Sequence, residues 1–335
     1  MLQQALEFAI LRLLDAPRTA MCGWDCVWYA GLAANGYDAE PMRPDLPGQA
    51  NWAFFPLFPL LARGLHAATG IDPTSATLLV GKFLLLVAII AFIVFVQRFA
   101  PRSSALTAGV VVAMNPFVLY GNTGYTEPLF LLLTSMLFLG MAARAWPAVA
   151  LIGTALTATR FVGLAAVAAY ALDWLRAQVR RSAMPWWPIV VMPLGLIGFA
   201  AHLWQRTGDA LAFLHVQSAW GRTLQNPVTL LWFGLTSHPV RAYWAIAAIL
   251  GVLVGLAFLR RRETAFGVFT LAATLAPLMT GLWAMPRFVA WQAPVLLFVA
   301  RGLRTRLAVG LFVALGVCGQ FVMYWLWLRE ASAAI

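Results

Sequence analysis

Eight long apolar stretches dominate this chain and limit what it can fold into. They run over about 74–97, 103–120, 125–142, 186–205, 241–259, 264–282, 287–300 and 306–328. A helix needs about 20 apolar residues to cross a bilayer. The chain is 62% hydrophobic and 10% charged, whereas a soluble domain carries about 25% charged residues. The sequence therefore predicts an all-α, polytopic integral membrane protein with one domain over 1–335.

A ninth apolar segment, 147–172, carries Arg160 in its middle. An arginine at the centre of a bilayer costs about 2.5–3.5 kcal/mol on insertion scales. As one helix, the segment would also place Arg176, Arg180 and Arg181 outside. A hairpin of two short helices puts Arg160 near an outer tip and the other three inside, and we prefer it.

Arginine placement predicts the orientation, because cytoplasmic loops are enriched in basic residues. With 1–73 outside, twelve arginines fall inside against only two acids, Asp173 and Glu263. These arginines are Arg98, Arg102, Arg144, Arg176, Arg180, Arg181, Arg260, Arg261, Arg262, Arg301, Arg304 and Arg306. The net charge of +11 is then a topology signal and excludes nucleic acid as a partner. We expect a plasma-membrane protein with its chemistry on the periplasmic or exterior face, in outer segments 15–73 and 206–240.

The sequence shows no spacing of residues typical of a metal site. Asp25 has no adjacent acid, and Asp-x-Asp, His-x-x-His and Glu-x-x-His spacings do not occur, so we expect no metal and no cofactor. A Walker loop and a dinucleotide glycine turn are also missing, which leaves a soluble nucleotide sugar without a phosphate cradle. Cys22 and Cys26 could form a disulfide if oxidised. We expect two thiols, because an i,i+4 pair on a helix more often stays free.

The first outer segment contains the main catalytic candidate, Asp25. Trp24, Trp28, Gly31 and Leu32 share a helical face, which predicts an amphipathic helix at headgroup depth with tryptophan anchors. On this helix Asp25 is either a cap or a general base.

Two further outer motifs offer polar groups. Asn51 precedes an aromatic, proline-rich stretch in which Pro56 starts a helix, and its amide suits a sugar hydroxyl. Thr126 is expected to cap the next outer helix. Glu127 is either a carboxylate favoured by the helix dipole or a ligand for sugar or acceptor.

Three arginines are expected to converge on the outer side. Arg160 either pairs with Glu127 or Asp25, or binds phosphate through its fork. Arg287 follows a proline at a helix start and either binds an anion or snorkels to headgroups. Arg222 ends the segment 208–222.

That segment reads as an interfacial helix capped by Asp209, with Phe213 and Trp220 in lipid. His215 and Arg222 are its candidates for phosphate or sugar contact.

In their order along the chain, these motifs resemble the PIG-V-like mannosyltransferases of the GT-C superfamily. Eukaryotic members add the second mannose to glycosylphosphatidylinositol precursors. The matching pieces are Trp24-Asp25 with Tyr29 and Gly36-Tyr37, the run Asn51 to Pro59, Tyr125-Thr126-Glu127, Ala158-Thr159-Arg160, Gly208-Asp209 to Arg222, and Pro286-Arg287. In these similar proteins a full spanning helix usually precedes the Trp-Asp motif. Here 23 residues precede Trp24, so either the start is trimmed or 1–14 forms a shortened or interfacial helix.

The resemblance implies an inverting transfer on the extracytoplasmic face from a polyprenyl-phosphate-linked sugar, usually mannose, with Asp25 as base and no essential metal. It also implies a GT-C-like bundle, which we expect to hold roughly 9–11 transmembrane helices with an interfacial helix in the first outer loop. We expect the donor phosphate to bind Arg160, Arg222, Arg287 and Lys82. The sugars and a glycolipid or glycan acceptor are expected to contact Asn51, Tyr125, Glu127, His215, Trp24 and Tyr29. The rival is a transporter or flippase of a glycolipid or lipid-linked sugar, which should show internal inverted repeats or paired broken helices.

Overall fold

The computed structural model describes residues 2–41 and 48–330, and this part of the chain is helical and contains no strand. In chain order the α-helices are α1 (Leu2–Leu13), α2 (Asp25–Asn35), α3 (Leu57–Thr69), α4 (Pro73–Phe99), α5 (Ala105–Ala113), α6 (Leu119–Asn122), α7 (Glu127–Ala143), α8 (Trp146–Thr159), α9 (Leu164–Val179), α10 (Pro188–Val191), α11 (Leu194–Thr207), α12 (Ala212–His215), α13 (Pro227–Ser237), α14 (Pro239–Arg260), α15 (Thr264–Leu278), α16 (Met285–Ala290), α17 (Ala293–Gly302) and α18 (Arg306–Leu328). Short 3-10 turns lie at Arg18–Met21, Asn51–Ala53, Pro116–Val118, Phe161–Gly163 and Val216–Trp220.

Four helical segments of the described chain are long and apolar enough to cross a membrane: Pro73–Phe99, Pro188–Thr207, Pro239–Arg260 and Arg306–Leu328. A fifth candidate joins α5 to Pro116–Asn122, with a bend of 67°. The apolar helices α7, α8, α13, α15 and α17 are shorter. The fold is therefore all-helical with four to five candidate spans by length, and a bundle of roughly 9–11 stays a prediction.

Capping side chains explain where several of the long helices begin. Asp72 accepts a hydrogen bond from the Ser75 amide at 2.9 Å at the start of α4. Ser104 and Thr305 cap α5 and α18 in the same way. Such caps satisfy amide groups that a helix start leaves without a partner. Because these residues are visible in the sequence, the expected starts near 74, 103 and 306 agree closely with the structure.

The break at Arg160 confirms the predicted pair of short helices. The Arg160 backbone is extended, with φ −159° and ψ 149°, between α8 and α9. α8 packs on α7 and α11, whereas α9 packs on α15. The two helices therefore pack mainly on different neighbours, and Arg160 lies at the junction between them.

Two stretches that we expected to be single spans, 103–120 and 287–300, are also broken. The amide of Asn115 donates to the Ala290 carbonyl at 3.0 Å, and the indole of Trp291 donates to the Phe117 carbonyl at 3.0 Å. The two breaks therefore satisfy each other's backbone groups, which is the condition for interrupting a helix at membrane depth.

Loops that the arginine pattern predicts to share one side of the membrane meet in the structure. At one end, Arg301 binds Glu263 at 2.7 Å and the Phe99 carbonyl at 2.8 Å. These residues come from three loops predicted to be cytoplasmic. The other end brings together Asp25, Glu127 and the outer arginines described below.

The two predicted outer segments pack on each other through aromatic rings. Trp28 of α2 stacks on Phe54, with ring centroids 5.6 Å apart, and meets Trp220 edge-on at 5.8 Å. Phe213 is buried against Phe55, with ring centroids 5.6 Å apart. Phe213 is buried, so the expectation that it lies in lipid is wrong. Trp28 and Trp220 pack on each other but are only half-buried, so their contact with lipid stays a prediction. The second segment also contains α13, which we did not predict.

Candidate active site

A disulfide holds the start of α2, where Asp25 lies. Cys22 and Cys26 are bridged, with Cα atoms 5.2 Å apart, so the expectation of two thiols is wrong. α2 begins only at Asp25. Cys22 therefore precedes the helix, and its Cα lies within the range of bridged cysteines. Between the two cysteines, Trp24 has a φ of 52° and exposes 38% of its surface.

Asp25 is ion-paired but still reachable from outside. Its Oδ2 accepts a hydrogen bond from Arg287 Nη1 at 3.0 Å, and its backbone amide donates to the Tyr125 hydroxyl at 3.2 Å. Its side chain is 31% exposed, whereas that of Arg287 is 7% exposed. Oδ1 accepts no hydrogen bond from any residue that the structure describes. This oxygen is therefore available to take a proton.

Glu127 lies beneath two arginines as a buried carboxylate. Its Oε1 accepts from Arg160 Nη1 at 2.8 Å and lies 3.2 Å from Arg287 Nε, where the angle does not suit a hydrogen bond. Its side chain is 1% exposed. Oε2 is buried and meets no donor in the described chain. The ion-pair alternative for Arg160 is confirmed. Glu127 is correspondingly placed to hold arginines rather than to meet a sugar.

The ring of Phe288 lies at the centre of the arginine cluster. The guanidinium carbons of Arg160, Arg287 and Arg222 lie 4.8, 5.1 and 5.5 Å from its centroid. No two of these carbons can be further apart than the sum of their distances from the centroid. The predicted convergence of the three arginines is therefore confirmed. Cations favour an aromatic face at such distances. Phe288 was missed as a site residue, although it directly follows Arg287 in the sequence.

Arg222 is the arginine of this cluster that meets no carboxylate in the described chain. Its Nη2 donates to the Trp283 carbonyl at 3.0 Å. Burial lowers the pKa of Arg222 to about 10, with further lowering by Arg287 and Arg160 and an opposing contribution from Asp25. Three guanidinium groups thus face two carboxylates, Asp25 and Glu127. The cluster has one positive charge in excess, which suits an anionic ligand that accepts forked hydrogen bonds.

Tyrosine rings line the protein side of the cluster. Arg287 lies 5.0 Å from the Tyr125 ring and 5.2 Å from the Tyr120 ring, and both rings are 1% exposed. Tyr29 packs edge-on against Phe54. Burial, reinforced by the Asp25 carboxylate, raises the pKa of Tyr29, so its hydroxyl stays neutral. Tyr120 is a second residue that we did not predict.

Three predicted site residues have their polar contacts elsewhere. Lys82 binds Glu7 of α1 at 2.9 Å, and this pair holds α1 against α4. His215 is bonded to Asp209 at 2.6 Å, and its side chain is 66% exposed.

Asn51 donates to the Gly36 carbonyl at 3.1 Å and accepts from the Asp38 amide at 3.2 Å. Its amide therefore fastens the first outer segment. The expected roles of Lys82 at the phosphate and of Asn51 and His215 at a sugar or acceptor find no support in these contacts, because each of the three groups is bonded to a neighbour within the protein.

Comparison with known proteins adds no relative: neither protein-family models, nor curated proteins, nor solved structures match the chain. Within the described residues, no three His, Cys, Asp or Glu side chains gather as metal ligands.

Proposed function

We propose that the protein is an inverting glycosyltransferase of the plasma membrane that moves a sugar, mannose by resemblance, from a polyprenyl-phosphate-linked donor to a lipid or glycan acceptor. One observation carries the proposal. An open carboxylate, Asp25, lies against a cluster of three arginines with one positive charge in excess. Base and anion-binding groups thus occupy one site, as a transfer with a phosphate leaving group requires.

The proposed step is a displacement at the anomeric carbon of the donor. The acceptor hydroxyl loses its proton to Oδ1 of Asp25, and its oxygen forms a bond to the anomeric carbon from the face opposite the phosphate. The bond between that carbon and the phosphate oxygen breaks with its electron pair. Polyprenyl phosphate leaves with one more negative charge, and the proton later passes from Asp25 to water.

The arginines are proposed to stabilise that leaving charge. Arg222 would bind the phosphate oxygens first, since a backbone carbonyl and a ring are its present partners. Arg160 and Arg287 are held in place by Glu127 and would add positive charge from beneath. Guanidinium groups supply this charge in a fixed arrangement, so the proposal needs no metal.

The sugars are proposed to lie against the exposed aromatic rim of the site. Trp24 adjoins Asp25 in the chain and is 38% exposed. Tyr29 and Tyr125 are buried beneath the site, and the Tyr125 hydroxyl is bonded to the Asp25 amide, so both are proposed to support the site rather than to meet a sugar. On the predicted topology this rim faces the periplasm or exterior.

Turnover by the purified full-length protein tests the proposal. We expect release of polyprenyl phosphate from polyprenyl-phospho-mannose in detergent when an extract of membrane lipids supplies the acceptor, with a mannosylated product visible by mass spectrometry. Asp25→Asn should lower the rate by about 10²- to 10⁴-fold, the usual worth of a general base. Glu40→Gln, which removes an exposed acid of the same segment, should leave it unchanged. No turnover by the wild type, or equal turnover by Asp25→Asn, contradicts the proposal.

One observation favours the alternative, a flippase of a lipid-linked sugar. The helix breaks near Asn115 and Trp291 lie in different halves of the chain and contact each other, and paired broken helices are typical of transporters. Both breaks are closed by side chains of the protein. Proteoliposomes separate the two functions, because a flippase moves a fluorescent lipid-linked sugar between leaflets without cleaving it.

A further inference from the structure

The ion pair between Asp25 and Arg287 lies on an exposed side of that arginine. Beneath Arg287 lies Glu127, and its flanks are covered by Tyr120 and Tyr125, all 1% exposed. Asp25, at 31%, is the exposed group among these contacts. An anion that approaches Arg287 from outside therefore meets the Asp25 carboxylate in its place.

A phosphate oxygen and a carboxylate oxygen compete for the same guanidinium donors. Arg222 lies next to this position, since it shares the Phe288 ring with Arg287. A phosphate held first by Arg222 is thus brought within reach of the Nη1 group that Asp25 now occupies.

We propose that the Asp25–Arg287 ion pair is a latch that the donor phosphate opens by taking the place of Asp25 on Arg287. The inference rests on the proposed function and adds an order of events to it. Donor binding frees the carboxylate from its ion pair, so that the base is released only when the leaving group is in place. The acceptor is then deprotonated second.

The latch predicts that Asp25→Asn, which removes the base, binds the leaving group more tightly than the wild type does. Farnesyl monophosphate serves as the probe, with farnesol as the uncharged control, and its equilibrium affinity for the full-length protein in detergent is measured without any sugar. Asp25→Asn should bind the probe about 5- to 30-fold more tightly than the wild type, because a hydrogen-bonded charge no longer competes. Glu40→Gln should bind like the wild type.

Two further measurements separate direct competition from distant repulsion. In an Arg287→Lys background, the gain from Asp25→Asn should shrink to less than about threefold, since contacting residues are not additive. In 1 M KCl the gain in affinity should persist. Salt at this concentration screens charges that lie more than about 3 Å apart in solvent, whereas Asp25 and the phosphate compete for direct contact with the same guanidinium group. The salt measurement needs only Asp25→Asn and the wild type, and it decides the question if Arg287→Lys does not fold.

The outcomes divide cleanly. If the wild type binds farnesyl monophosphate and Asp25→Asn gains nothing, the latch is wrong and the proposed donor site stands. A gain that is unchanged by Arg287→Lys or abolished by salt also overturns the latch. If no variant binds the probe better than farnesol, the proposed phosphate site fails and the latch fails with it.

Discussion

Glu127 shows at the scale of one residue how the cluster is held together. Its buried carboxylate meets two guanidinium groups, and removing one partner of a buried pair costs about 3–5 kcal/mol, since the other charge is left without compensation. We expect Glu127→Gln to destabilise the protein by this amount, measured by thermal and denaturant unfolding in detergent.

The matched change is Asp209→Asn, which removes an acid from the exposed pair with His215. The His215 hydrogen bond lowers the pKa of Asp209, yet an exposed pair contributes only about 0–1 kcal/mol. Equal losses for the two variants would show that Glu127 does not hold the arginines.

The charge of Arg222 gives a second expectation at this scale. Its pKa is lowered to about 10 by burial and by Arg287 and Arg160. The charged form binds anions, and the phosphate is a dianion above about pH 6. Binding of farnesyl monophosphate should therefore be strongest near pH 8 and should decline as the pH rises through 10. Arg222→Gln removes this group. Its binding should be weaker at pH 8 and should lack the decline that Arg222 causes. A wild-type profile with the same shape as that of Arg222→Gln would contradict this role.

The sequence predicts the arginines of the site better than its other polar residues. Arg160, Arg222 and Arg287 could be grouped because membrane sidedness alone places them at one end. The partner of Lys82 could not be predicted, since Glu7 lies 75 positions away. The membrane side of a residue does not tell which of several acids on that side it pairs with. The contacts of Asn51 could not be predicted either. Its partners are backbone groups of a loop, and a loop has no hydrophobic periodicity from which its course could be read.

At the scale of elements, polar and apolar patterning decides which breaks in helices can be foreseen. The break at Arg160 follows from the cost of a charge in lipid. The breaks at Asn115 and Trp291 involve no charge, and each is stabilised by side chains from the other. Such mutual satisfaction depends on tertiary contact, so a local apolar run gives no sign of it.

The turn before α7 offers a sharper test of an element. Gly124 has a φ of 72°, and a Cβ there would lie 2.9 Å from the sulfur of Cys26. Gly124→Ala should therefore destabilise the protein by more than the roughly 1–2 kcal/mol of the left-handed conformation alone, and it should weaken binding of farnesyl monophosphate by displacing α7 from α2.

Gly31→Ala is the matched control for this turn. A Cβ at Gly31 would meet nothing within 4 Å, and alanine favours the helix by about 1 kcal/mol. The Gly31→Ala protein should unfold at the same temperature as the wild type or at a slightly higher one. If Gly124→Ala behaved like Gly31→Ala, the close packing of this turn on the disulfide would be wrong.

At the scale of the whole molecule, ion pairs gather at two ends. One end holds Asp25 and Arg287, and the opposite end holds Arg301 and Glu263. The disulfide belongs to the first end. Disulfides persist in oxidising compartments, which agrees with the prediction that this end lies outside the cytoplasm. On the same prediction, Arg176 in the last turn of α9 and Arg180 and Arg181 after it lie inside.

Labelling of single cysteines tests this orientation without disturbing the site. Cys22 and Cys26 are bridged and do not react with maleimide, so only Cys318 has to be replaced, by serine. In that background a membrane-impermeant maleimide should label Glu40→Cys on intact cells, because the first outer segment is exposed. Arg180→Cys and Arg261→Cys should react only after permeabilisation, since cytoplasmic loops carry the basic residues. Labelling of Arg180→Cys alone from outside would overturn the direction of α9, whereas labelling of Arg261→Cys without Glu40→Cys would turn the whole molecule over. In the latter case Asp25 would face the cytoplasm, and the donor would have to be presented on that side.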